Sequence, residues 1–199
     1  MRIDIPSGDA VNMFKALDIA RGRDAMRVAL SGVNWEIVGG VHTFTTTDSY
    51  RLHTVTVPDT GSTYDDSLIL SGDVVKAVQA CAKAAGKNGV VTLDTFHDGS
   101  CDVTGGDGIA APEYRVTVLI LNNEFPTCRS IIDGANDIEL PALFNGKYLG
   151  GLIDAATLWA GKDRPVTVES IHATKPGRVT STNSIGTFTG VLMPQRGDK

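Results

Sequence analysis

The sequence predicts an α+β fold built from three repeated βαβββ units, with helices covering one face of antiparallel sheet. Three observations carry this. A short strand-like stretch precedes each of three amphipathic segments: "RIDI", "LILS" and "IELPA". Each amphipathic segment is followed by two or three alternating or β-branched runs. The pattern recurs over residues 1–62, 63–136 and 137–199 with little identity between the units, a repeat of pattern and not of letters.

The first helix is expected in "SGDAVNMFKALDIARGR", with Ser7 or Asp9 as N-cap, Gly22 as stop, and Val11, Met13, Phe14, Leu17 and Ala20 on the apolar face. "MRVALSGVNWEIVGG" reads as a strand into a glycine turn, and "VHTFTTTDSYRLHTVTV" as two strands joined at a polar interruption. The second helix is expected in "SGDVVKAVQACAKAAGK", capped by Ser71 or Asp73 and ended by Gly86. Its buried side is Val74, Val75, Val78, Cys81, Ala82 and Ala85. "GVVTLDTF", "SCDVTGG" and "YRVTVLIL" suit strands. The third helix is expected in "FNGKYLGGLIDAATLWAGK", between an Asn145 cap and a Gly161 stop. Its stripe is Tyr148, Leu149, Leu152, Ile153, Ala156 and Trp159, and Gly150-Gly151 implies close packing on a neighbouring backbone. "RPVTVESI", "RVTSTNSI" and "TFTGVLMP" complete the strands, and Trp35 and Trp159 are expected in the core.

With 42% hydrophobic residues the chain of 199 can bury a core. No run of eighteen apolar residues and no signal-type start is present, so a soluble, cytoplasmic protein without membrane contact is expected. Cys81, Cys101 and Cys128 are widely spaced, which fits a reducing compartment and not a disulfide or zinc framework. "HDGSCD" offers a metal-like mixture but reads better as a polar hairpin turn, "GGDG" reads as a loop, and His42, His53 and His172 form no nucleophile pair. No catalytic set, metal site or cofactor is implied, so the protein is read as a non-enzyme.

The formal charge of −5 argues against a nucleic-acid ligand only on average. The helix faces, away from their apolar stripes, carry Lys15, Arg21 and Arg23, then Lys76, Lys83 and Lys87, then Lys147 and Lys162, while the acids concentrate in loops and strands. Such a face suits a phosphate backbone, but on this pattern alone the solvated side of ordinary helices is the better reading.

Four segments decide between these. "LSGVNWEIVGGVHTFTTTDSYRLHTVTVP" resembles the middle domain of the bacterial DNA polymerase III β sliding clamp, with Thr47 to His53 standing at its "A-T-D-G-x-R-L-A" turn. "EFPTCRSII" is similar to the family's "F-P-x-Y-x-x-V-I" segment, "FNGKYLGGLIDA" to its "F-N-x-x-Y-L-x-x-x-L" helix, and "GVLMPQR" to its C-terminal "V-I-M-P-M-R" strand. The order is that of the family and nearly the whole chain is covered. Ser49 replaces the usual turn glycine, Cys128 the tyrosine, and Gln195 the second methionine. The resemblance divides the chain into residues 1–132, like the complete middle domain, and 133–199, like the second half of the last domain. The family's first domain has no counterpart, and the short form suggests a phage-encoded clamp.

The resemblance implies the DNA clamp fold: a closed ring with helices lining the hole and antiparallel sheets outside. It implies a processivity factor that encircles double-stranded DNA without reading sequence, with the eight cationic residues above facing the phosphates. Rings of this family hold about twelve units, so three per chain imply a homotetramer, with a trimer as the alternative. It also implies a groove for short linear peptides of the replicative polymerase and clamp loader. By motif, its lining is Leu30, Thr47, Ser49, Tyr50, Arg51, Leu52, Pro126, Ile131, Val191, Leu192, Met193 and Pro194. The alternative is a clamp-derived interaction module that binds replication proteins without closing on DNA.

Overall fold

The computed structural model describes residues 1–24, 26–58, 64–107, 112, 114–128, 131–132, 143–162, 164–169 and 174–195. The first unit runs β1 (Arg2–Pro6), α1 (Ser7–Ala20), β2 (Val33–Val38), β3 (Val41–Thr47) and β4 (Arg51–Pro58). The second runs β5 (Asp66–Leu70), α2 (Val74–Ala85), β6 (Val90–Thr95), β7 (Ser100–Gly106) and β8 (Tyr114–Leu121). The third holds α3 (Gly146–Ala160), β9 (Thr167–Glu169), β10 (Gly177–Thr182) and β11 (Thr187–Leu192). Its expected leading strand, "IELPA", lies outside the described residues.

The eleven strands form one sheet in the order β1-β6-β7-β8-β5-β2-β3-β4-β11-β10-β9, and the registered pairs are all antiparallel. The units therefore exchange strands. β1 leaves its own unit to edge β6, while β5 joins β2 to β8. The third unit joins the first through six pairs between β4 and β11, from Thr187 opposite Thr56 to Leu192 opposite Arg51.

Side-chain alternation sorts the two faces. The row Leu93, Val103, Leu70, Trp35, Phe44, Val55 and Phe188 is fully or almost fully buried under the helices. α1 lies between α2 and α3, with α2 on β6 to β8, α1 on β3 and β4, and α3 on β10 and β11. Trp35 stacks on Phe44 at 5.2 Å and Phe14 of α1 meets Phe44 edge-on at 5.8 Å. Trp35 and Trp159 are core, as expected.

Two side chains of the β3–β4 hairpin grip α1. Thr46 Oγ1 donates to the Leu17 carbonyl at 2.7 Å, and His53 Nδ1 lies 2.7 Å from the Ala16 carbonyl. A carbonyl only accepts, so His53 Nδ1 carries the proton and Nε2 remains buried without a partner. Burial lowers the His53 pKa to about 4.

Several local expectations need correction. Pro6, at φ −52°, holds the N-cap position of α1, and Ser7 is its first helical residue, not a cap. Asp73 precedes α2 but its side chain caps nothing, because the Ser71 and Gly72 carbonyls already take the Val74 and Val75 amides. The stretch before β2 is a 3-10 turn, Val28–Ser31, and not strand. Gly105 and Gly106 end β7, as the strand reading of "SCDVTGG" expects and against the loop reading of "GGDG"; a Cβ on Gly105 would collide with the Cys81 carbonyl of α2. Gly150 faces open space, and Gly151 makes room for the Arg51 side chain, 3.0 Å from where its Cβ would stand, not for a neighbouring backbone. Ile153 is exposed while Ala155 takes its place in the buried stripe. Ala85 is only half-buried. Asn145 does cap α3, accepting from the Lys147 and Tyr148 amides, and Gly86 and Gly161 end their helices at φ +73° and +95°.

Candidate docking groove and nucleic-acid interface

The polar interruption between β3 and β4 is a closed hydrogen-bond circuit. Asp48 Oδ1 accepts from the Tyr50 and Arg51 amides at 3.0 and 3.1 Å, and Oδ2 from Arg51 Nε at 2.9 Å. Thr47 Oγ1 donates to the Arg51 carbonyl and accepts from the Ser49 amide. Ser49 is the only non-glycine with positive φ among the described residues, at +79°. Its hydroxyl accepts from Arg27 at 2.8 Å.

This turn borders a cavity of about 160 Å³. Leu52 and Val191 pair across the β4–β11 seam on the face away from the helices, and Thr47 is paired with Leu52 from β3. Leu30, Pro126 and Ile131 close the cavity, while Tyr50 and Met193 stand at its mouth, 62% and 47% exposed. Of the twelve residues marked in the sequence, ten line this one space. Leu192 does not. Strand alternation turns it to the helix face, where it is buried beside Phe144 and Leu152. Pro194 is half-buried outside the lining. The sequence reading missed Thr127 and Cys128, which the neighbouring Pro126 could have signalled. Burial, followed by the nearby Glu36 charge, raises the Cys128 thiol pKa. Beyond the mouth, Tyr50 stacks on Tyr148 of α3 at 6.0 Å and the Arg51 guanidinium lies 5.2 Å from the Tyr148 ring centre. The chemistry is an apolar trough with a rigid polar lip, suited to aliphatic or aromatic anchors.

On the opposite face the cationic residues divide. Lys15, Lys76, Lys83, Lys87, Lys147 and Lys162 are exposed and hold no ion pair among the described residues. Lys15, Lys83 and Lys87 share an open cleft of about 570 Å³ between α1 and α2. Arg21 and Arg23 are not on the face of α1. The helix has ended at Ala20, and both close on Asp18 at 2.7 Å. The Arg21 side chain is 12% exposed and also donates to the Ser31 carbonyl. "HDGSCD" is the β6–β7 turn, with Asp98 accepting from Ser100 and Gly99 at φ +83°. Among the described residues no group of three or more His, Cys, Asp or Glu is placed to hold a metal ion. No helix among them is long and apolar enough to cross a membrane.

An eleven-stranded antiparallel sheet with three helices on one face and a groove at the seam between units is a sliding-clamp architecture. The DNA polymerase III beta subunit of Thermotoga maritima superposes with a TM-score of 0.72 at 13% identity, over 100% of this chain and 66% of that one. A DNA polymerase sliding clamp from Pseudomonas aeruginosa superposes at 0.73 and 14%, over 98% and 66%. A sliding clamp of that organism bound to griselimycin gives 0.72 and 13%, over 98% and 65%. The chain thus has the fold of the sliding clamps and spans just under two thirds of the length of these structures. The sequence matches no protein-family model and no curated protein.

Proposed function

We propose that the protein is a DNA sliding clamp that encircles duplex DNA without sequence preference and docks replication proteins through the groove. The observation that carries this is the convergence of ten motif residues on one cavity at the β4–β11 seam, opposite a helix layer with unpaired lysines. Point charges on rigid helices attract phosphates and read no bases. The replicative polymerase and clamp loader would enter the groove as short linear peptides with apolar anchors. Three units per chain favour a ring of four copies, with three as the alternative, closed through sheet edges that otherwise stand open. The cytoplasm is the expected compartment, and no catalytic role is assigned.

The test is retention on closed circular DNA with release on linearisation, beside the mass in solution by light scattering. Retention with a ring-sized mass is expected; a strict monomer at micromolar concentration would sink the ring. Replacing Lys76, Lys83 and Lys147 with Glu should weaken association and flatten its salt dependence. The pairing of Arg21 and Arg23 with Asp18 thins the cationic face and favours a second reading, an interaction module that binds replication peptides without closing on DNA. Peptide binding without circular-DNA retention would select it.

A further inference from the structure

β9 repeats β6. Each is the first strand after a helix, and "VTVE", Val166 to Glu169, matches "VTLD", Val91 to Asp94. Their neighbours on one side agree pair for pair. Thr92 faces Thr104 and Leu93 faces Val103 across β6 and β7; Thr167 faces Thr180 and Val168 faces Val179 across β9 and β10. The other side differs. β6 receives β1, with Arg2 opposite Asp94, Ile3 opposite Leu93 and Asp4 opposite Thr92. β9 ends the sheet, and no strand among the described residues covers its far edge. The difference shows in burial: Leu93 is 0% exposed and Val168 53%. An apolar cavity of about 180 Å³ lies beside Val168, between Phe144, Leu149 and Val179. A leading strand does not fill this slot within its own unit, since β5 pairs with β2 and β8 and not with β6.

β1 carries the matching pattern and has a second edge to offer, because it ends the sheet on the opposite side. Its outward side chains can serve two neighbours. Arg2 is 62% exposed and reaches Asp4 and Asp94 only at 3.6 and 3.5 Å. Asp4 accepts from Thr92 through Oδ1, which leaves Oδ2 for another hydroxyl. We infer that β9 is a strand acceptor for β1 of a second copy, joined antiparallel and head to tail. Arg2 of the second copy then stands opposite Glu169, Ile3 opposite Val168, and Asp4 opposite Thr167. The β4–β11 seam is different in kind, because it pairs the last strands of two units. The new joint is heterologous, so it closes a ring or runs on as a filament. Its place in a ring rests on the clamp reading; the pairing itself rests on the likeness of β9 to β6 and needs no DNA.

Sedimentation velocity of the full chain over a concentration series tests this. Association that grows with concentration is expected. R2E or E169K alone should weaken it roughly tenfold, through the like-charge pair that each creates. Mixing R2E chains with E169K chains should restore it, because every joint then pairs opposite charges. E169Q, which keeps an acceptor for Arg178, should give a smaller loss at an unchanged melting temperature. A chain that stays monomeric up to about millimolar concentration overturns the joint. So does association that ignores both charge reversals, or a mixture no better than its parts. Slow hydrogen exchange along the whole of β9 in monomeric R2E also overturns it, since residues 133–142 of the same chain would then cover the edge. Chains that pass these tests but slip from circular DNA would overturn the clamp reading and leave the pairing standing.

Discussion

Arg27 donates to the hydroxyl of Ser49 across 2.8 Å, and Ser49 is held at a φ of +79°. A side chain in that region is strained, and glycine is the residue that adopts it freely. The bond to Arg27 shows what the serine supplies in return: it ties the groove turn to the segment just before the 3-10 turn that bears Leu30. Replacing Ser49 with Gly removes both strain and tie, so stability should change by less than about 1 kcal/mol. Ser49→Val keeps the strain and adds β-branching, and should cost about 2 kcal/mol. Urea denaturation of the two variants separates these outcomes; equal cost would mean the turn relaxes.

Met193 is half exposed at the groove mouth, so a charge there should spare the fold and spoil the trough. Met193→Asp should weaken binding of a peptide with leucine and phenylalanine anchors at least about tenfold, with the melting temperature nearly unchanged. Fluorescence anisotropy of the labelled peptide reads this directly.

Arg21 predicts the reverse division. Its guanidinium joins Asp18 to the Ser31 carbonyl and lies against Gly72. Arg21→Ala should cost about 2 kcal/mol of stability, because a largely buried guanidinium that bonds both Asp18 and the Ser31 carbonyl is lost. The salt dependence of the DNA association proposed above should be unaltered, since the charge is largely buried and already paired with Asp18. A variant of full stability and altered salt slope would place Arg21 on the DNA face after all.

His53 gives a pH dependence with a definite sign. Folded, it stays neutral down to about pH 4, whereas its ordinary pKa is 6.5. The unfolded chain therefore binds a proton that the folded chain refuses between these values. Stability is unaffected above about pH 6.5, falls as pH drops towards 4, and is flat below, with a total loss on the order of 3 kcal/mol. About 1 kcal/mol of this should be visible between pH 7 and 5.5. His53→Gln keeps a donor for the Ala16 carbonyl and cannot titrate; its denaturation midpoints should show a shallower slope over that interval.

Much of this was readable in the chain. Asn145, Gly86 and Gly161 marked helix ends because each acts locally, through a side-chain acceptor or a positive φ. The cavity lining was readable because its residues fall in three short segments and at Leu30. Where the reading failed, the deciding contact was distant. Arg21 and Arg23 look like helix-face charges until the chain turns after Ala20 and brings both to Asp18. Gly151 anticipates a neighbour, but only the β4–β11 seam shows that the neighbour is Arg51. Val191 and Leu192 point to opposite faces of β11, so only Val191 reaches the groove, whereas Arg51 and Leu52 both reach it because Arg51 sits at the end of β4 beside the turn. Motif order carries no such parity.

The grip of Thr46 and His53 on α1 joins the protein's two surfaces. Ala20 is the last helical residue, so the Leu17 carbonyl has no regular helical acceptance to make, and a strand residue takes it up. The same hairpin bears the Ser49 turn at its tip. The end of α1 cannot fray without freeing that hairpin, and the hairpin cannot slip without exposing the end of α1. Helix end and turn should therefore open as one cooperative unit, exchanging their amide hydrogens at a common rate instead of as a loose loop and a frayed terminus.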